Sequence, residues 1–131
     1  MIPNFSNNLH GSPIYRKAME IFYLSRSISK YMVSDLSPLQ KNGNEDPNIY
    51  FTGDIIQQSI SLAPEILKAE TKSVSEEKYK HTISITRLTN GLYKNCERLE
   101  NVNSNGRDFI KLLRKEIKKF RDLQRKWMLT L

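Results

Sequence analysis

The sequence predicts an all-α protein built as an antiparallel up-down four-helix bundle. Four segments place apolar residues at three- and four-residue steps, none sustains the two-residue alternation of a strand, and clusters of turn-forming residues separate them. Four amphipathic helices joined mostly by short turns bury their apolar faces best against one another. The 131 residues read as a single domain, 1–131, with a loosely ordered arm over 1–11 and a long loop over 36–49. That length buries an ordinary core without staples.

The first helix opens at Ser12-Pro13, a capping residue followed by proline at the first helical position. Its inward face is Ile14, Ala18, Ile21, Phe22, Ser25, Ile28, Ser29 and Met32, and it stops near Ser34 to Leu36, before Pro38. The next stretch to Asn48 is rich in Pro, Gly, Asn and Asp and is long for a helix connection. A second helix runs from Tyr50 or Asp54 to Thr71, with Ile56, Ile60, Ala63 and Leu67 inward. Pro64 should kink it, because the ring removes a backbone bond and clashes with the preceding turn. Ser73 and Glu76 form a capping-box pattern at the start of the third helix. The stripe of that helix is His81, Ile85, Leu88, Leu92, Cys96 and Leu99. Asn101 to Gly106 is turn chemistry, and the fourth helix takes Phe109, Leu113, Phe120, Leu123 and Trp127 as its seam, flanked by Ile110, Leu112, Ile117 and Met128.

Charge is distributed unevenly along this framework. Arg107 to Leu131 holds nine Lys or Arg against three acids, +6 of a net +7, while the other 106 residues carry twelve basic and eleven acidic side chains. Such a balance points to an anionic partner. At 100° per residue, Arg107, Lys111, Arg114, Lys118, Arg121 and Arg125 fall opposite the apolar seam, in a stripe about 27 Å long. Four of the six are Arg, whose planar fork meets phosphate oxygens two at a time. An ordinary solvated face is the bland alternative, yet such faces mix signs through Glu–Lys pairs and this one scarcely does. Phe109, Phe120 and Trp127 point away from the stripe, so the residues suit phosphate-backbone binding to structured RNA or duplex. A membrane surface is the weaker reading, since the apolar face is needed to complete the bundle. Glu116, at the edge of the apolar arc, is expected to pair with a cation from a neighbouring helix or subunit.

Between Asp54 and Glu65 the second helix has no ionisable residue, and the outer face of the third is nearly neutral. Gln57, Gln58, Ser61, Ile83, Thr86, Asn90 and Tyr93 are the candidate contact of a homo-oligomer, or a quietly solvated surface. Catalytic constellations are missing from the sequence. His10 and His81 are the only histidines, Cys96 has no zinc spacing, and there is no Glu-x-x-His pair, phosphate-cradling glycine loop or nucleophile elbow. The expectation is therefore no enzyme, no metal and no cofactor. A lone cysteine, no apolar run of roughly 18 to 20 residues and a polar N-terminus unlike a secretory signal suggest the cytoplasm.

The second helix also carries a family resemblance. Ile56-Gln57-Gln58-Ser59-Ile60-Ser61-Leu62-Ala63-Pro64-Glu65-Ile66-Leu67 resembles the stretch of a bacterial four-helix-bundle family in which Ile and a polar pair precede an S-I-P-x-N-I-A-E-G pattern. That family includes proteins encoded in intervening sequences of large-subunit ribosomal RNA genes and the accessory variability determinants (Avd) of diversity-generating retroelements. Ile56, Gln57, Gln58, Pro64 and Leu67 match; Leu62-Ala63 stands for Ser-Ile, Ile66 for Asn, and Ala69-Glu70 for the closing Glu-Gly. The resemblance implies a ring-shaped homopentamer joined through the neutral helix faces. It also implies a basic surface over Arg107–Arg125 that engages RNA and a reverse transcriptase, with no catalytic residue to carry over. The reading is thus a non-catalytic accessory protein binding structured RNA or an RNA–protein complex. The alternative is a scaffold whose basic stripe meets an acidic protein.

Overall fold

The computed structural model describes residues 11–102 and 104–131. The expected N-terminal arm, with His10, lies outside them except for Gly11, and so does Asn103. Among the described residues all regular structure is helical: α1 (Pro13–Leu36), α2 (Ile49–Ile60), α3 (Leu62–Thr71), α4 (Ser75–Glu100) and α5 (Arg107–Met128). Because α2 and α3 follow each other across one residue, the five helices make four rods. α1 and α4 lie diagonally, each packing on α2–α3 and on α5. One hydrophobic cluster fills the middle, with Ile21, Met32, Ile55, Leu62, Ile85, Leu92, Leu113 and Phe120 fully buried in it.

Local chemistry sets the helix ends. Ser12 Oγ accepts the Tyr15 amide at 3.4 Å and Pro13 opens α1, as its sequence predicts. The long loop turns on Gly43, whose φ of +82° lies in the left-handed region that favours glycine. In the second rod the break falls at Ser61, three residues before Pro64. Pro64 can give no amide proton to the Ile60 carbonyl and its ring crowds that group, so the helix ends there and restarts. Pro64 then sits in the first turn of α3, where an N–H would lack a partner anyway. The capping box expected at Ser73 is not made. α4 starts at Ser75 behind Val74 with no side-chain cap, and Glu76 and Glu77 face the positive end of its dipole.

Three of the four inward faces keep part of the expected stripe, namely Ala63 in the second rod, Ile85, Leu92, Cys96 and Leu99 in the third, and Leu113, Phe120 and Trp127 in the fourth, and differ by one residue elsewhere. In α2–α3 the buried positions are Thr52, Ile55, Ser59, Leu62, Ala63, Ile66 and Ala69; the expected Ala63 is among them, Ile56 is half-buried, and Ile60 and Leu67 are exposed. From Thr52 to Ala69 these positions recur at three- and four-residue steps across the break, so the stripe runs through it, one residue N-terminal to the expected Ile56, Ile60 and Leu67. α4 buries Thr82 and Thr89 in place of His81 and Leu88. Their hydroxyls bond back to the Tyr79 and Ile85 carbonyls at 2.6 and 2.7 Å, a satisfaction that an imidazole at that depth lacks. Phe22, expected inside, is half-buried. The fourth rod is decisive for the candidate site.

Candidate nucleic-acid interface

α5 has two possible inward faces. One, through Phe109, Leu113, Phe120, Leu123 and Trp127, would carry the carboxylate of Glu116 into the buried arc itself. The helix instead buries Ile110, Leu113, Ile117, Phe120, Gln124 and Trp127, and leaves Phe109 49% exposed beside Tyr31. Burying a neutral amide with a partner costs far less than burying a carboxylate. Gln124 Nε2 donates to Thr86 Oγ1 at 3.0 Å, and Trp127 Nε1 donates to Glu70 at 3.1 Å. Relative to the sequence projection, the buried face is turned by roughly 45° at 100° per residue. The six cations therefore lie along the flank of α5 that faces α4, not opposite the core.

That rotation divides the stripe. Arg107, Lys111 and Lys118 are exposed, and none of the three makes an ion pair among the described residues. Arg114 pairs with Glu100 at 3.1 Å, and its guanidinium carbon stands 5.8 Å from the centre of the Tyr93 ring. Arg121 stands 4.5 Å from the same ring and donates to Asn90 Oδ1 at 3.0 Å. Arg125 is paired with Asp122. An aromatic ring thus sits inside the cationic flank, supplied by α4. The expectation that the stripe lacks an aromatic is corrected on this point, because the α4–α5 register cannot be read from one helix.

Lys115 and Lys126, both exposed, broaden the basic surface around the outside of α5. The face diametrically opposite the core does mix signs, as a solvated helix does, through Asp108 and Asp122 beside Lys115 and Lys126, and Lys119 pairs with Glu116 at 2.9 Å. On the α1 side Glu116 also receives Lys17 at 2.9 Å, the neighbouring-helix partner expected for it. The Lys17 and Lys119 ammonium groups hold the Glu116 carboxyl below its usual range, and the bonds that Lys17 donates to Glu20 and Glu116 hold its own ammonium above its usual range. Burial pushes the Cys96 thiol up to about 12.

The seven residues expected at a subunit contact do not form one surface. Gln57 is exposed on α2 and Ser61 lies in the break, but Gln58 turns inward and accepts a bond from Asn95 on α4 at 3.0 Å. Thr86, Asn90 and Tyr93 meet α5 through Gln124, Arg121 and Arg114, and Ile83 lies half-buried on the outer side of α4. An apolar groove of about 280 Å³ lies elsewhere, between α1 and α2–α3, lined by Tyr15, Met19, Phe22, Ile60, Pro64 and Leu67. His81 is held by Glu65 at 2.7 Å rather than in the core. Among the described residues no group of three or more His, Cys, Asp or Glu is placed to hold a metal ion. No helix there is long and apolar enough to cross a membrane.

No protein-family model, curated protein or solved structure matches this chain.

Proposed function

We propose that this protein is a non-catalytic binder of structured RNA, alone or within an RNA–protein complex, that uses the α4–α5 flank as its phosphate-contacting surface. The single observation that carries the reading is the array of cations on α5. Lys111, Lys118 and Arg107 project to solvent along one flank, with Arg114 and Arg121 oriented by side chains of α4. Lysines free of local carboxylates attract a polyanion at long range, and oriented guanidinium groups meet phosphate oxygens at close range. The chain works as a homo-oligomer of up-down antiparallel bundles in the cytoplasm, and a ring of copies repeats the basic flank to gain avidity. The neutral, largely apolar groove between α1 and α2–α3 supports self-association, because a chain of net +7 meets its own copies with least repulsion there. The likeness of its second helix to the retroelement accessory proteins supports a reverse transcriptase as co-partner.

Lys111→Glu with Lys118→Glu tests the function without disturbing the fold, since neither side chain bonds to another helix among the described residues. Retention of a folded RNA on a filter should fall at least tenfold while the helical circular dichroism stays unchanged. Unaltered retention would end the reading. An acidic protein partner is the second reading, favoured by the exposed ammonium groups alone; there, polyanionic RNA would neither bind nor displace the partner.

A further inference from the structure

The α4–α5 groove contains more than a phosphate surface needs. Between the two helices lies a recess of about 210 Å³ lined by Thr86, Asn90, Arg121, Gln124, Arg125 and Met128. At its side the Tyr93 ring carries Arg121 at 4.5 Å and Arg114 at 5.8 Å. Asn90 fixes Arg121 at 3.0 Å, and Thr86 fixes Gln124 at 3.0 Å. A surface that only neutralises phosphates is served by mobile lysines. Here the exposed amide of Asn90, the type of group that reads nucleobase edges, stands beside an arginine–aromatic pair, the type on which unpaired bases stack.

We propose that this recess is a site for an unpaired nucleobase, with Tyr93 and Arg121 as its stacking layer, Asn90 at the base edge, and Arg114 and Arg125 on the flanking phosphates. The ligand is a single-stranded or looped segment of nucleic acid rather than the paired stem. In an A-form duplex the bases are stacked in pairs and offer no free face to such a pair of side chains. No carboxylate lines the recess itself, and Asp122, next to Arg121 in the chain, is already paired with Arg125. An electron-rich ring therefore meets hydrogen-bond donors and a guanidinium without a repelling acid. Lys111 and Lys118, outside the recess, bind backbone without regard to pairing. The inference rests on the nucleic-acid reading above, but it makes a separate claim about which part of the nucleic acid is held.

The test compares an unstructured homopolymeric RNA 12-mer with an RNA duplex of equal phosphate number, on the wild-type chain and on Tyr93→Leu and Tyr93→Phe. Loss of one base–aromatic stack predicts roughly tenfold weaker single-strand binding by Tyr93→Leu, less than twofold change on the duplex, and near wild-type behaviour for Tyr93→Phe. Equal losses on both ligands by Tyr93→Leu would overturn the proposal and leave the phosphate reading standing. A wild-type chain that binds neither ligand would remove both. Should Tyr93→Leu fail to fold, photocrosslinking of the wild-type chain to a 4-thiouridine 12-mer decides. Adducts on the peptides holding Tyr93 or Arg121 support the site, and adducts confined to Lys111 and Lys118 overturn it.

Discussion

Glu116 shows how one side chain decides which way a helix turns. Its carboxylate stays at the core margin, bridged by Lys17 from α1 and Lys119 from its own helix. Because its folded pKa is lowered, the bridge adds stability above the unfolded carboxylate value, about 4.3, and loses it as pH falls through the lower folded value. Lys17, raised, keeps its part below the unfolded lysine value, about 10.4, and gives it up only as pH climbs through its raised value. Glu116→Gln should therefore lower stability by about 1–2 kcal/mol near neutral pH, with the difference from wild type vanishing at the acid end. Urea melts from pH 2 to pH 7 measure it, and a constant difference across that range would show that the charge is irrelevant. The pairing of Glu116 was legible in the sequence because a carboxylate beside an apolar arc needs a cation. That Tyr93 would meet Arg114 and Arg121 was not, since contacts between helices depend on a register that no single helical wheel holds.

At the scale of elements, four rods and most of their ends could be read from periodicity and punctuation. The Ser12-Pro13 start, the stop at Leu36 and the inward face of α1 follow from residues adjacent in the chain. Inward faces of the other rods slipped by about one position where polar residues compete for the interior. Thr82, Thr89 and Gln124 carry groups that find partners inside, and a scale of apolarity alone ranks Thr89 and Gln124 below Leu88 and Leu123. The turn into α5 illustrates a constraint invisible in sequence. Gly106 is buried, its amide donates to Ser104 Oγ at 3.0 Å, and Ser104 in turn reaches Asp35 of α1 at 2.6 Å. A Cβ at Gly106 would stand 2.6 Å from Met32 Cγ and 3.3 Å from the Tyr31 ring. Gly106→Ala should cost about 1–3 kcal/mol by overpacking, seen as a lower thermal midpoint. A midpoint equal to wild type would mean that Met32 yields freely.

For the whole molecule, the uneven charge is the property most plainly written in the sequence, and the fold gives it a direction. With six cations in contact with phosphates, RNA affinity should fall roughly a thousandfold between 50 and 200 mM salt, as counterions released on binding lose their entropic advantage. A shallow salt dependence, measured by titration at four ionic strengths, would instead favour a protein partner. Cys96 bears on how such measurements can be made. The chain has one thiol, it is fully buried, and burial holds it protonated at ordinary pH. A reporter dye attached through a cysteine introduced on the exposed flank would therefore label that position alone, so contacts along α5 can be mapped in the otherwise native chain without removing its own sulfur.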